Sequence, residues 1–205
     1  MENTLYIVDD HKMMREGIQH WLETNSSWKV LKSFGTSKDC LMQLSQITSD
    51  SPDFPEIIIV DVQIAEESGF TLVREILKKW SKVKCIIYSM YDTTGYVLEA
   101  KECGAKAYIS KAAQSEEILK CLQIVKEGGT YLEERLIEAQ NKLENVVSIL
   151  TKQERRLFQA ILQGKTNEQI QNEFFLSKST VETYTSRLYD KIDVIDRADL
   201  IQKYK

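Results

Sequence analysis

Apolar positions in the first 127 residues follow two alternating rhythms. Short apolar runs, LYIV before Asp9, IIIV before Asp61, CIIY before Ser89 and AYIS before Lys111, are separated by stretches where apolar residues recur every three or four positions. The runs predict strands over 4–8, 28–34, 57–61, 84–88 and 106–110. The third and fourth are apolar almost throughout, as in central strands covered on both faces. Between the strands, Met14, Ile18, Trp21 and Leu22 recur at helical spacing, as do Ile118, Cys121, Leu122 and Val125. Segments 38–48, 69–80 and 94–103 have the same periodicity. Pro52 and Pro55 fall in the loop before the third strand, where neither breaks an element. Five strand–helix units predict an α/β domain, a doubly wound five-stranded parallel sheet with right-handed crossovers.

The rhythm changes after Gly128-Gly129, a helix-end signal. Residues 130–150 form a connector rich in Glu, Gln and Asn with some helical periodicity. From Leu150 only helical patterns follow. Thr151, with Glu154 three residues on, predicts a capping box; Leu157, Ile161 and Leu162 share the next face, and Gly164 ends it. A short helix over 167–173, the turn FFLSKST and a longer helix over 178–191 capped by Ser177 make a helix-turn-helix, with a last helix from Arg197. The expected organisation is 1–127, an α/β domain; 128–149, a partly helical linker; and 150–205, a small all-α domain.

Composition narrows the setting. Of 205 residues, 42% are hydrophobic and 28% charged, values ordinary for a soluble protein. No apolar run reaches the roughly 20 residues that span a bilayer, and MENTLYIVDD lacks the pattern of a secretory signal. Cys40, Cys85, Cys103 and Cys121 show no C-x-x-C spacing; Cys85 in an apolar strand and Cys121 on an apolar helix face read as buried free thiols, consistent with a reducing cytoplasm. Residues 1–150 carry 17 Lys+Arg against 23 Asp+Glu, a net −6, and residues 151–205 carry 10 against 8, a net +2, which points to different partners for the two parts.

Residues just past the strand ends of an open parallel sheet gather in one crevice. Asp9, Asp10, Asp61, Ser89 and Lys111 should therefore meet. Three carboxylates repel one another unless a cation joins them, and an all-oxygen set suits Mg²⁺. Asp61, at the end of the central strand, is the candidate nucleophile toward phosphorus. Asp10 and Asp61 would hold the metal, Asp9 through water, with the backbone carbonyl of Gln63 completing the set. Lys111 would offset charge on phosphoryl oxygens, and Ser89 would bond the phosphoryl group.

VDD at 8–10, IVDVQIAEESG at 59–69, YSM at 88–90 and GAKAYISK at 104–111 resemble the receiver domain of two-component response regulators, a flavodoxin-like fold. LTKQERR at 150–156, GKTNEQI at 164–170, LSKSTVETY at 176–184 and KIDV at 191–194 resemble the LuxR-type helix-turn-helix. That order is the one of the NarL/FixJ subfamily. The resemblance implies phosphoryl transfer from a sensor histidine kinase to Asp61, Mg²⁺ on Asp9-Asp10, and switch positions at Ser89 and Tyr108. The alternative for Tyr108 is a strand aromatic packed on a helix. The sequence departs from the pattern at Ala65, where a proline is usual, at the extra charges Glu66 and Glu67, and at Met90, larger than the residue often found there. His11, beside the acid pair, is read as opening the first helix at the surface.

The tail would place its second helix in the major groove of double-stranded DNA. Its reading face comprises Lys178, Ser179, Glu182, Thr183, Ser186 and Arg187, with Glu suited to cytosine and Arg to guanine. Lys165, Lys178 and Lys191 are expected phosphate contacts. Tyr184 either reaches DNA or packs on the scaffold helix, while Val181, Leu188 and Ile192 face the core. Only Lys178, Arg187 and Lys191 oppose Glu182 and Asp190 on this helix, so one copy should bind weakly and a phosphorylated homodimer more tightly. Two other outcomes fit parts of the chain. A phosphorelay or adaptor protein would share the first 127 residues, and an aspartyl phosphatase would need an Asp-x-Asp where Asp61 is followed by Val62-Gln63.

Overall fold

The computed structural model describes residues 3–91 and 93–204. They form two compact units, one of 3–91 and 96–134, the other of 135–204 together with 93–95.

The first unit is a parallel sheet covered by helices. In chain order it comprises β1 (Asn3–Val8), α1 (Lys12–Asn25), β2 (Trp28–Phe34), α2 (Ser37–Gln46), β3 (Ile57–Val60), β4 (Gln63–Ile64), β5 (Glu67–Ser68), α3 (Gly69–Lys79), β6 (Lys84–Ser89), α4 (Thr94–Cys103), β7 (Ala107–Ser110), α5 (Ser115–Lys126) and β8 (Tyr131–Leu132). The main sheet has the order β2-β1-β3-β6-β7-β8. β3, the run IIIV, is buried along its whole length because helices cover both faces. On one face Ile7, Ile59, Ile86 and Ile109 pack with Ile18 and Leu22 of α1 and with Ile118 and Leu122 of α5. Each such side chain contributes about 1.5–3 kcal/mol by leaving water.

The expected five-stranded sheet is corrected to six strands. β8 pairs Tyr131 with Ala107 and Leu132 with Tyr108, after the Gly128-Gly129 reversal. Two residues are too few to show an alternating pattern, and the surrounding Glu-rich connector hides them. A second unforeseen element is the hairpin β4–β5, in which Gln63 pairs with Ser68 and Ile64 with Glu67. Ala65 turns this hairpin at φ 55°. Proline is locked near −65° and cannot adopt that angle, so its absence here follows from the turn that the loop makes.

The four cysteines are free and buried, as expected. Burial pushes the Cys40 thiol up to about 12 and raises those of Cys85, Cys103 and Cys121 as well, so they act as small apolar packing groups.

The second unit is helical: α6 (Glu134–Ile149), α7 (Lys152–Leu162), α8 (Asn167–Phe174), α9 (Lys178–Ile192) and α10 (Arg197–Tyr204). The connector read as partly helical is thus a helix over most of its length. Thr151 and Glu154 close the foreseen capping box on α7; Thr166 and Gln169 repeat it on α8, and Ser177 Oγ accepts the Thr180 N–H on α9. Leu157, Phe158, Ile161, Ile170, Val181, Leu188, Ile192 and Leu200 are among its buried apolar residues.

One ion pair ties α9 to the start of α7. Lys191 Nζ lies 2.8 Å from Glu154 Oε2. That ammonium, followed by the Thr151 N–H, holds the Glu154 carboxyl down at about 2 from an ordinary 4.5. A depressed acid stabilises the folded state above its unfolded value. The contribution should be intact above pH 4.5 and lost as pH falls toward 2. At a surface site the loss should stay below about 1 kcal/mol. Hydrogen exchange of α7 and α9 amides across this range should show it in the wild type, and Glu154→Gln should flatten it.

Candidate functional site

Sheet register assembles the pocket. Val8 pairs with Val60 and Val60 with Ile87, so β1, β3 and β6 run side by side into the same edge of the sheet. Asp9 and Asp61 each follow the last residue of a strand. The Asp61 N–H donates to the Val8 carbonyl at 2.9 Å, and the Lys111 N–H to the Ser89 carbonyl at 2.8 Å. The chain departs in opposite directions from β1, to β2 on one side and β3 on the other, and the pocket lies beyond that switch point.

Lys111 Nζ sits between two carboxylates, 2.7 Å from Asp9 Oδ2 and 2.6 Å from Asp61 Oδ2. All three side chains are at most 7% exposed, so this is a buried cluster. Burial raises the Asp61 carboxyl above its usual range, and the Asp9 charge adds to the rise, while hydrogen bonding to Lys111 opposes both. Burial pulls the Lys111 ammonium down, but its bonds to Asp61 and Asp9 outweigh that and leave it raised. Lys111 is therefore charged at neutral pH.

Asp10 lies at the mouth of the pocket. Donor atoms of Asp9, Asp10, His11 and Asp61 all fall within 4.8 Å of one another. Three carboxylates against one ammonium leave a deficit of positive charge that a divalent cation fits. His11 is the N-cap of α1 and largely exposed, as expected, but its Nδ1 also approaches Asp10 Oδ1 at 2.9 Å and Asp9 Oδ1 at 3.3 Å. The Asp9 carboxylate is further oriented by the His11 N–H at 2.8 Å, and the Arg15 guanidinium donates to the Asp9 backbone carbonyl.

The residues expected to switch meet at a residue the sequence did not single out. Tyr91 donates its N–H to Ser89 Oγ at 3.2 Å and its hydroxyl to Gln63 Oε1 at 3.0 Å. Its backbone carbonyl accepts the hydroxyl of Tyr108, whose ring is buried. The Tyr91 ring stacks on Tyr96 of α4 with centroids 4.8 Å apart. Two of these links are backbone groups, which no residue pattern announces. Ser89 is fully buried, while Met90 beside it points to solvent.

In the second unit, Lys178, Ser179, Glu182, Thr183, Ser186, Arg187 and Lys191 of α9 are exposed, opposite the buried Val181, Leu188 and Ile192. Lys178 lies 4.0 Å from Glu182. Two expected phosphate contacts are engaged within the fold, Lys165 with Glu173 at 2.6 Å and Lys191 with Glu154. Tyr184 is half-buried and lines a small cavity of about 50 Å³ with Arg156, Phe174 and Val181.

The family model for the response regulator receiver domain matches residues 5–123, more than half of the chain. The protein belongs to the response regulator family. Residues 148–204 match a second model, for bacterial regulatory proteins of the luxR family. Similar proteins include the DNA-binding transcriptional activator DevR/DosR of Mycobacterium tuberculosis, 28% identical over 92% of this chain and 87% of that protein. Another is the transcriptional regulatory protein DegU of Brevibacillus brevis, 22% identical over 96% of this chain and 90% of that protein. The fold resembles that of RcsB from Salmonella enterica serovar Typhimurium, solved bound to a promoter in the presence of phosphomimetic BeF3⁻. There the TM-score is 0.72 and the identity 17%, over 99% of this chain and 98% of that one.

This response regulator therefore joins a receiver domain to a LuxR-type DNA-binding domain. The two matches together are those of a DNA-binding transcription regulator rather than a classical enzyme, which speaks against both the phosphatase and the pure adaptor. Among the described residues, no helix is long and apolar enough to cross a membrane.

Proposed function

We propose that Asp61 accepts a phosphoryl group from a sensor histidine kinase, and that the acyl phosphate controls DNA binding by residues 150–205. The observation that carries this reading is the Asp61 carboxylate, held 2.6 Å from the Lys111 ammonium and within 4.8 Å of Asp9 and Asp10 donor atoms. An Asp61 oxygen attacks phosphorus, the bond from phosphorus to the kinase imidazole nitrogen breaks, and that nitrogen keeps the electron pair. Lys111 offsets charge on the phosphoryl oxygens. Asp10, Asp61 and the Gln63 carbonyl, with Asp9 through water, would hold Mg²⁺, which supplies charge neutralisation for the transferred group.

Ser89 turns its hydroxyl proton toward the acyl phosphate while its oxygen keeps the Tyr91 N–H. Tyr108, bonded to the Tyr91 carbonyl, follows the same loop. Residues 1–127 thus act as the switch and 128–149 as the linker. The output is a homodimer whose paired α9 helices read two half-sites, with Ser179, Glu182, Thr183, Ser186 and Arg187 facing the bases and Lys178 the phosphates. Lys165 and Lys191 contribute less, being paired with Glu173 and Glu154, and Tyr184 borders the reading face. The place of action is the cytoplasm.

The test is a selection of duplexes from a random DNA pool by phosphorylated and unmodified protein, with oligomer size measured on the same samples. A shared motif enriched at least about tenfold by the phosphorylated dimer is expected. Equal enrichment by both forms would separate DNA binding from the switch. No enrichment by either would return the chain to the adaptor reading.

A further inference from the structure

The turn that introduces α9 holds its chain reversal in an unusual way. α8 ends in a left-handed residue, and that residue is Phe175, at φ 54° and ψ 45°. Its N–H and that of Leu176 both return to the Gln171 carbonyl, closing the helix end as a glycine there normally would. Elsewhere this chain uses the usual residues for the purpose. Gly104, Gly128 and Gly164 follow α4, α5 and α7 at positive φ, and Asp193 follows α9. A bulky residue in this conformation is an outlier that costs on the order of 1–2 kcal/mol. Phe175 recovers none of that by packing, since it is 94% exposed. Its neighbour Phe174 behaves differently, lying under the Arg156 guanidinium 4.4 Å from the ring centroid. Thus one ring supports the scaffold and the next is presented to solvent at a conformational cost.

Phe175 also stands beside the reading face. Two residues on, Ser177 caps α9, and the exposed Lys178 and Ser179 open it. In a helix-turn-helix the N-terminal residues of the second helix contact the bases, so the residue at the turn flanks the groove edge. The C–H surfaces available there are deoxyribose and the thymine methyl, both of which take apolar side chains. The charged residues of α9 nearly cancel, leaving room for an uncharged contribution to affinity. We propose that Phe175 is a DNA-contacting residue, its ring packing on the apolar surface of deoxyribose or a thymine methyl at the groove edge. This rests on the proposed DNA reading by α9.

The test uses the full chain and a duplex selected from a random pool by the wild type, with affinity measured over a range of salt. Phe175→Gly and Phe175→Asn relieve the left-handed strain, so their melting temperatures should match or exceed the wild type. Their affinities should nevertheless fall about tenfold. The slope of log affinity against log salt should stay unchanged, because no phosphate contact is removed. Phe175→Leu should retain most of the affinity. Replacing thymine by uracil in the duplex separates the two surfaces: loss with the wild type alone assigns the methyl, and no loss assigns the sugar. Wild-type affinity in Phe175→Gly overturns the proposal, as does a Phe175 effect confined to capture of a protein partner. Should the wild type select no duplex while Arg187→Ala behaves identically, the DNA reading fails first and the role of Phe175 with it.

Discussion

Asp61→Ala is expected to reduce phosphoryl acceptance to nothing and, with it, the phosphate-stimulated increment of DNA binding. The Asp61 carboxylate supplies the proposed acceptor oxygen, at the end of the central strand and 2.6 Å from the Lys111 ammonium. The substitution should leave the fold intact. Burial holds the Asp61 carboxyl above its normal range, so the native state bears a cost for ionising it. Without it, Lys111 keeps its bond to Asp9 and one of three like charges is gone. Thermal stability equal to or above the wild type is therefore expected alongside the complete functional loss. Phosphate-affinity electrophoresis after incubation with a phosphodonor, paired with binding to the selected duplex, reads both. Undiminished label in the variant would place the acceptor elsewhere.

Gly69→Ala is the second large effect, and it acts through the backbone. A Cβ on Gly69 would lie 1.8 Å from the Asp61 carbonyl oxygen, 2.9 Å from its carbon and 3.1 Å from Val60 Cγ1. The first two are main-chain atoms of the central strand's end and cannot swing aside. The Gly69 N–H also donates to the Val62 carbonyl at 2.7 Å, which fixes the start of α3 against the loop that it would have to leave. A destabilisation of about 3 kcal/mol or more in urea unfolding is expected, with slower phosphoryl acceptance in whatever remains folded. Gly17→Ala provides the contrast. Nothing lies within 4 Å of that position inside α1, so alanine there should stabilise by up to about 1 kcal/mol. Similar small effects from both would mean that the approach of α3 to Asp61 is looser than the structure shows.

The sequence makes the strand ends of the pocket legible because a parallel sheet turns apolar runs into position. Four runs each followed by a polar residue place Asp9, Asp61, Ser89 and Lys111 with little further information. The capping boxes are legible for the same local reason, since donor and acceptor lie three residues apart. What escapes is either too short or too distant. β8 is two residues, and the β4–β5 hairpin has an alanine at its turn where a glycine or asparagine would have signalled it. Tyr91 acts largely through its N–H and C=O, which every residue but proline possesses. The Lys191–Glu154 pair spans 37 positions, so a lysine assigned to phosphate by its place on α9 gives no sign of its partner.

The buried cysteines have a practical consequence. All four lie between Cys40 and Cys121, and residues 135–205 contain none. A thiol reagent therefore reports on the opening of the receiver alone, with the DNA-binding tail silent. Labelling rates with and without a bound duplex, or before and after phosphorylation, give the stability of one half of the molecule without a cut in the chain or an added probe. The protein carries its own domain-selective clock.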